Sequence, residues 1–310
     1  GIQAMTRVLV TGGSGQLGSY VVDELQNDFE VTVFDLEEPS QDVRFRRGNV
    51  LDQTALANAI RDNDAIVHLA ALDDFVDASD SEFMSVNAMG TWNVFEVAKS
   101  LGIDRIVHCS SVAAVNISPE NPPRSLPVDS SHACQPATAY GLSKLLGEQI
   151  AQRFAFLTSI SVVCLRPTLV MQHPIAYSIA KSTASADGTP LPPIAAHHSW
   201  EQFDEVIPGS RSFVDPRDAA RAFRAGLEVN DMSWGVFYVG ARDTYSALPT
   251  LDIVRREFGV APDLQDTQLY DRNPRASIYD IATTSRDLHW EPRVSWEDLL
   301  SEVMSAATNN

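Results

Sequence analysis

The chain has 310 residues, of which 44% are hydrophobic and 21% are charged, and its formal net charge is −18. This size and apolar content allow one large domain or two coupled domains with a substantial core. The acidic excess repels phosphate backbones, no apolar run reaches the ~20 residues of a membrane-spanning helix, and no secretory signal is visible, so we expect neither a nucleic-acid nor a membrane partner.

The chain has three cysteines, Cys109, Cys134 and Cys164, which lie far apart in the sequence. Their odd number argues against a disulfide framework, and no two of them form the CxxC pair of many metal sites. These features predict a protein of the reducing cytoplasm that holds no metal ion.

The first half of the chain alternates short apolar segments with segments of helical period. The predicted strands are 7–11, 30–35, 43–49, 65–69, 105–110 and 160–166, and the predicted helices are 17–26, 54–61, 82–101 and 140–156. Apolar strands that alternate with helices are typical of a parallel sheet with right-handed crossovers. We therefore predict an α/β fold with a doubly wound parallel sheet.

The second half is less regular. Residues 171–210 are rich in Ser, Ala, Pro and His and show little period, whereas 218–228 indicates a helix and 236–239 a strand that returns to the sheet. We predict a nucleotide-binding sheet domain of residues 5–170, to which 211–240 returns. A smaller interleaved substrate-binding domain would comprise 171–210 and 241–310.

The first predicted strand runs into TGGSGQLG (residues 11–18), where Gly12, Gly15 and Gly18 have GxxGxxG spacing. Glycine allows a tight turn and a close approach to a pyrophosphate, and the N-terminus of the next helix, at Gln16 and Leu17, supplies free N–H groups. A purely structural turn is the alternative. The strand before and the helix after favour a dinucleotide site.

Asp35 ends the second predicted strand, where an acidic side chain can bind the 2′-hydroxyl of a ribose. A carboxylate there would repel a 2′-phosphate, so NAD is favoured over NADP. Arg44, Arg46 and Arg47 follow closely and offer the alternative of a phosphate site.

The stretch AYGLSK places Tyr140 and Lys144 four residues apart, on one face at the start of a predicted helix. An ammonium one turn away favours the phenolate and would lower the tyrosine pKa from its usual ~10. A chance surface pair is the alternative, and the glycine-rich turn makes proton transfer the favoured interpretation.

Together these motifs resemble the extended short-chain dehydrogenase/reductase family, the NAD-dependent epimerase/dehydratase group. The resemblance covers nearly the whole chain and also rests on HLAA (68–71), VNAMGTWNV (86–94), CSS (109–111), LRPT (165–168), RSFVDPRDAARAF (211–223) and LHWEPRVSWEDLL (288–300). It implies a Rossmann fold, NAD as the cofactor and a homodimer formed by the helix from Glu82 and the Tyr140 helix. Leu145, Phe154 and Phe156 support the dimer weakly, since core packing explains them as well.

The resemblance also implies residue roles. Tyr140 would be the general acid/base, Lys144 its electrostatic partner and a ribose ligand, and Ser111 would orient the substrate oxygen; a turn-ending serine is the alternative for Ser111. Further implied cofactor contacts are Asn49, Val50, Leu69, Ala70, Ala71, Asn87, Pro167 and Thr168. Core packing explains Leu69 to Ala71 equally well.

The pattern departs from the family at two places. Val112-Ala113 follows Ser111 where dehydratases of the family carry an acidic pair, so we do not expect dehydration. The turn after LRPT differs from the family pattern, so the resemblance does not assign the residues of the substrate pocket. Arg211 and His173 are candidate substrate ligands. A structural ion pair is the alternative for Arg211. Tyr177, His197 and His198 belong to the same pocket segment.

We therefore expect an enzyme that reversibly oxidises a secondary alcohol of a sugar, sugar acid or similar small substrate. A sugar-nucleotide epimerase with transient internal hydride transfer is the alternative. A non-catalytic NAD-binding scaffold is a third interpretation, and the complete Ser111, Tyr140 and Lys144 set argues against it.

Overall fold

The computed structural model describes residues 6–187, 211–259 and 261–308. The strands in chain order are β1 (Arg7–Thr11), β2 (Glu30–Asp35), β3 (Arg44–Arg47), β4 (Ala65–His68), β5 (Arg105–Cys109), β6 (Ser125–Leu126), β7 (Ser161–Pro167), β8 (Leu169–Val170), β9 (Phe213–Val214), β10 (Trp234–Val239) and β11 (Asp263–Leu264). Seven of them form one sheet in the order β10-β7-β5-β4-β1-β2-β3, and every neighbouring pair is parallel. The predicted doubly wound α/β fold is confirmed.

The helices are α1 (Gln16–Leu25), α2 (Gln53–Ile60), α3 (Asp80–Phe83), α4 (Gly90–Ser100), α5 (Ala139–Leu157), α6 (His173–Asp187), α7 (Pro216–Glu228), α8 (Thr250–Phe258), α9 (Thr267–Arg272), α10 (Ile281–Leu288) and α11 (Trp296–Thr308). A π-helical segment, Met84–Met89, joins α3 to α4. The predicted helix 82–101 is therefore present but locally unwound, which the apolar period does not reveal. Within the described part of the chain, no helix has the length and apolarity needed to cross a bilayer.

The core is formed by two apolar layers, one on each face of the sheet. Val8 and Val10 of β1 point into the layer shared with α1 and α7, whereas Leu9 points into the layer shared with α2, α4 and α5. Because both faces are covered, the strands are apolar throughout rather than alternating with polar residues. This packing leaves the carboxyl ends of the strands as the edge where loops can form a site.

Two smaller apolar clusters involve the second half of the chain. One includes Val254 and Ile278 together with Val115 and Leu126, and the other includes Met171 and Trp296. Helix α6 differs from the irregular segment expected at 171–210; Pro174 lies in its first turn, where the missing N–H costs no hydrogen bond. Residues 188–210, with His197 and His198, lie outside the described residues, and the division into two domains stays a prediction.

Candidate active site at the carboxyl edge of the sheet

The glycine-rich turn after β1 is shaped by close backbone contacts. Gly12 has a φ of +73°, and a Cβ built there would lie 2.6 Å from the backbone nitrogen of Ala70. A Cβ at Gly18 would collide with the carbonyl oxygen of Gly12. Packing alone therefore requires glycine at positions 12 and 18, as expected for the purely structural turn. The same turn can also bind a ligand.

Gly15 has a different environment. It is the N-cap of α1, makes no side-chain capping bond, and α1 has no acidic residue in its first turn. The N–H groups that open a helix have no intrahelical acceptor, so the N-terminus at Gln16 and Leu17 suits an anion such as a pyrophosphate.

Asp35 is held beside this turn at the end of β2. Its Oδ2 accepts a hydrogen bond from the Ser14 backbone N–H (3.0 Å), and its Oδ1 accepts one from the Leu36 N–H (2.7 Å). Oδ1 also accepts a longer bond from the Glu37 N–H (3.4 Å). A carboxylate can accept about four hydrogen bonds, so one position remains for a ribose hydroxyl. Arg44 pairs with Glu30 at 2.6 Å instead of turning toward Asp35.

Asn49 and Val50 follow β3. The Gly48 N–H donates to the Asp35 carbonyl oxygen (3.0 Å), which fixes this segment against the end of β2. The Asn49 side chain accepts from the Leu51 N–H (3.0 Å), and Val50 is buried. The segment is therefore next to the predicted nucleotide site, and contact with adenine stays a prediction.

Ser111, Tyr140 and Lys144 come together where β5 ends and α5 begins. Thr138 caps α5 by accepting from the Gly141 N–H (3.0 Å). A Cβ at Gly141 would lie 2.6 Å from the carbonyl oxygen of Ala113, so α5 approaches the turn that follows Ser111 very closely.

Lys144 is 6% exposed, and its Nζ lies 5.7 Å from the centroid of the Tyr140 ring. The same Nζ donates a hydrogen bond to the carbonyl oxygen of Cys109 (3.2 Å). The Ser111 Oγ accepts from the Ala113 N–H (3.1 Å). This arrangement places an ammonium, a phenol and a hydroxyl around one point.

The pKa of Tyr140 is raised well above its ordinary value. Burial of the phenol is the main cause, the Asp73 carboxylate adds to it, and a hydrogen bond with Ser111 acts in the opposite sense. The expected lowering of this pKa by Lys144 is not observed, because burial and the acidic neighbour dominate. Asp73 was not singled out in the sequence.

Asn87 lies in the π-helical segment and is 3% exposed. Its Oδ1 accepts from the Leu72 N–H (2.7 Å), and its Nδ2 donates to the Leu72 carbonyl (3.0 Å) and to Ser143 Oγ (3.0 Å). Asn87 therefore joins the loop after β4 to α5. A direct contact with cofactor stays a prediction.

Residues 69–71 lie against the glycine-rich turn. The Leu69 N–H donates to the Thr11 carbonyl (3.0 Å), and the Ala70 N–H donates to Thr11 Oγ1 (3.3 Å). Pro167 ends β7 and Thr168 follows it; both are buried, and the Thr168 N–H donates to the Val239 carbonyl (2.9 Å).

The two candidate substrate ligands do not join this group. Arg211 pairs with Glu257 at 3.1 Å, and His173 Nε2 lies 3.1 Å from a carboxylate oxygen of Glu302 on α11. Neither side chain contacts Ser111, Tyr140 or Lys144 in the described residues. For Arg211 the structural ion pair, already an alternative, accounts for its position.

A buried ion pair behind the site was missed in the sequence. Glu148 and Arg166 are joined by two hydrogen bonds of 2.7 and 2.8 Å, and Ser110 Oγ donates to Glu148 Oε1 (2.5 Å). Burial lowers the pKa of Arg166, but the hydrogen bond and charge of Glu148 raise it by more. The sequence does contain a sign of this pair, because the acidic residue Glu148 follows Lys144 by one turn of the same predicted helix.

No group of three His, Cys, Asp or Glu side chains in the described ranges could hold a metal ion. The candidate site has a predicted nucleotide-binding end, at Gly15 and Asp35, and a predicted catalytic end, at Ser111, Tyr140 and Lys144. These residues fit a dinucleotide whose reactive ring would lie near the phenol.

Comparison with known proteins identifies the family. The sequence model of the NAD dependent epimerase/dehydratase family matches residues 8–240. The chain belongs to this family. Its cofactor is accordingly NAD, and the protein is an enzyme of the extended short-chain dehydrogenase/reductase type.

Relatives within the family carry out different reactions. The chain is 26% identical to the Methanocaldococcus jannaschii protein "Putative UDP-glucose 4-epimerase", in a match covering 98% of this chain and 99% of that protein. It is 34% identical to the Haloferax volcanii L-arabinose 1-dehydrogenase (NAD(P)(+)), over 52% of this chain and 66% of that enzyme. Both of these relatives are named for a sugar or nucleotide-sugar substrate.

Among solved structures, a short-chain dehydrogenase/reductase superfamily protein from Agrobacterium tumefaciens with bound NAD has the same fold. The TM-score is 0.70 at 22% identity, and the match covers 98% of this chain and 97% of that chain.

Proposed function

We propose that this enzyme reversibly oxidises a secondary alcohol of a sugar, sugar acid or similar small substrate. The observation that carries the proposal is the meeting of Ser111, Tyr140 and Lys144 at the carboxyl edge of the sheet, the edge at which the glycine-rich turn also lies. The contact between Gly141 and the carbonyl of Ala113 brings these three side chains from two separate segments to one place.

Each side chain has a defined task in this reaction. Tyr140, as phenolate, accepts the proton of the substrate hydroxyl, and Ser111 holds the same oxygen by a hydrogen bond. Lys144 is buried beside the Tyr140 ring, where its ammonium would stabilise the phenolate while the proton is transferred. Bound NAD supplies the hydride acceptor, and its positively charged ring would further stabilise the phenolate.

The proposal includes a preference for NAD over NADP. Asp35 is fixed by three backbone N–H groups and keeps one acceptor position for a ribose hydroxyl. A 2′-phosphate placed there would meet a carboxylate, which repels it.

A substrate panel tests the reaction. Sugars, uronic acids and sugar nucleotides are incubated with the enzyme and NAD, and NADH is followed by its absorbance while products are identified by NMR. Accumulation of NADH with one class of free sugar or sugar acid supports the proposal. No NADH with any member, in a protein that binds NAD, contradicts it.

A sugar-nucleotide epimerase is the second candidate. The match to the Methanocaldococcus jannaschii protein extends over almost the full length of both chains, whereas the match to the arabinose dehydrogenase covers about half of this one. An epimerase would convert a sugar nucleotide to its epimer without net release of NADH, so the same panel separates the two reactions.

A homodimer is proposed on the basis of the exposed face of α5. Leu142, Leu146, Phe156 and Leu157 are 41%, 37%, 66% and 67% exposed. Exposed apolar side chains along one helix are typical of an interface. Phe154, taken from sequence as an interface candidate, is instead 3% exposed and packs in the core. A monomer mass in solution at micromolar concentration would contradict the dimer.

A cytoplasmic location is also proposed. All three cysteines are free thiols, as expected in a reducing compartment. Fractionation of the cells that make the protein tests this, and recovery outside the cytoplasm contradicts it.

A further inference from the structure

A chain of hydrogen bonds links the turn after β1 to the π-helical segment through a buried histidine. His68 Nδ1 lies 2.7 Å from Thr11 Oγ1, and His68 Nε2 lies 2.9 Å from Thr91 Oγ1. Thr91 Oγ1 donates its proton to the Asn87 carbonyl (2.6 Å), so it accepts from His68. His68 is thus protonated on Nε2, accepts on Nδ1, and has both ring nitrogens satisfied.

The histidine beside it is different. His108 lies at the same level on the neighbouring strand, with its ring stacked 5.5 Å from that of His68. It is 2% exposed, yet neither ring nitrogen has a hydrogen-bond partner among the described residues. A neutral imidazole carries one donor and one acceptor, and burying both unpaired destabilises a protein.

A small cavity adjoins this ring. Its volume is about 10 Å³, and its walls include His108, Thr91, Lys144 and Gly147. A Cβ at Gly147 would lie 3.0 Å from His108 Nε2, so α5 approaches this nitrogen closely and a side chain at this helix position would crowd the cavity beside it.

Lys144 reaches the same cavity with hydrogen-bonding capacity to spare. An ammonium has three N–H donors, and among the described residues Lys144 Nζ donates one hydrogen bond, to the Cys109 carbonyl (3.2 Å). A direct bond between Lys144 and His108 is not present. The space between a donor and an acceptor therefore has the size and polarity of a site for one water molecule.

We propose that one water molecule is bound in this cavity, accepts a hydrogen bond from Lys144 Nζ and donates one to His108 Nε2. His108 thereby acts as a positioning residue that holds the Lys144 ammonium in place beneath Tyr140. The water site stands on the geometry alone, whereas the positioning role rests on the proposed function.

The electrostatics suit this arrangement. Burial, followed by the charge of Lys144, lowers the pKa of His68 to about 3. Burial also lowers the pKa of His108, with contributions from His68 and Lys144. Both rings are therefore neutral at working pH, and His108 can accept a hydrogen bond where a charged ring could only donate one.

The water site is tested on the wild-type protein by a high-resolution crystal structure and by ¹⁵N NMR of labelled histidine. We expect density for one water between His108 and Lys144, and a His108 ring that is protonated on Nδ1 and accepts at Nε2. An empty cavity, or a His108 ring protonated on Nε2, would overturn the proposal. Both readouts are independent of whether the enzyme oxidises any substrate.

The positioning role is tested with two substitutions that remove the water in different ways. Gly147→Ala places a methyl group 3.0 Å from His108 Nε2, too close to leave room for the water, and His108→Phe removes the acceptor but keeps a ring of similar shape. Each should lower kcat about tenfold, the effect of losing one hydrogen bond to a charged group, with KM little changed. Because both remove the same water, the double variant should be no slower than the slower single variant.

Gly226→Ala is the matched control. A Cβ at Gly226 would also lie 3.0 Å from a buried side-chain atom, Cγ1 of Val107, but on α7, away from Lys144. It should leave kcat unchanged. Unaltered kcat in Gly147→Ala, additive losses in the double variant, or an equal loss in Gly226→Ala would each overturn the positioning role.

Discussion

The nucleotide end and the catalytic end of the cleft are held by different kinds of contact. At the nucleotide end, Asp35 is only partly buried and is fixed by backbone N–H groups. At the catalytic end, Lys144, Glu148 and Arg166 carry charge inside the protein, and each is less than a tenth exposed. A partly solvated carboxylate can be replaced at small cost, whereas a buried charge that loses its partner destabilises the fold. Substitutions at the two ends should therefore change different measured quantities.

The largest expected effect is on turnover. Tyr140→Phe removes the proposed base and should lower kcat by about 10²–10⁴, while the Kd for NAD stays close to the wild-type value. Steady-state kinetics and calorimetric titration measure the two quantities. Tyr270→Phe is the matched control, since it removes a hydroxyl that bonds the Ser277 carbonyl outside the cleft. Full activity of Tyr140→Phe would contradict the proposed mechanism, in which Tyr140 is the base.

The next effect is on stability. Arg166→Leu leaves the Glu148 carboxylate buried without its bidentate partner and should lower the free energy of unfolding by about 3–5 kcal/mol, measured by chemical denaturation. Replacing both residues by leucine should restore most of the loss, because no unpaired charge then remains.

An exposed ion pair provides the control for this comparison. Arg7 and Asp64 pair at 2.8 Å with 44% of each side chain exposed. Arg7→Ala should leave the unfolding transition almost unchanged, since solvated ion pairs contribute little. Equal destabilisation by Arg7→Ala and Arg166→Leu would contradict the distinction between buried and solvated charge.

Local signals account for what could be predicted from the sequence. Strands β1 and β2 have the bounds that their apolar runs predict, and Gly12 to Gly18 and the Tyr140–Lys144 pair each lie within one short segment. Fold class and family follow from such segments, because each carries its own periodicity or spacing.

Contacts between distant segments account for what could not be predicted. Strands β8 and β9 have two residues each, too few to show a period, and they form only because their segments meet. The unpartnered ring of His108 and the effect of Asp73 on Tyr140 likewise arise from residues that fold together, and no spacing in the sequence reveals them.

A smaller effect is expected on cofactor binding. Asp35→Asn should weaken NAD binding about tenfold and reduce the discrimination against NADP, because a charge-assisted hydrogen bond to the ribose is replaced by a neutral one. Titration with both cofactors measures this. Glu37→Gln removes the same charge two residues away and should alter neither Kd. Equal binding of NADP and NAD by the wild-type enzyme would exclude the proposed role of Asp35.

The smallest effect is a shift of the pH profile at the catalytic end. The Asp73 carboxylate raises the pKa of Tyr140, so Asp73→Asn should lower that pKa. Oxidation requires the phenolate, and its rate therefore rises with pH through the apparent pKa of Tyr140. The rising limb of kcat against pH should accordingly move to lower pH in Asp73→Asn. Asp77→Asn removes one charge from the same loop without being among the groups that act on Tyr140, and its profile should match the wild type. A limb that stays in place in Asp73→Asn, or moves to higher pH, would show that Tyr140 does not set the profile.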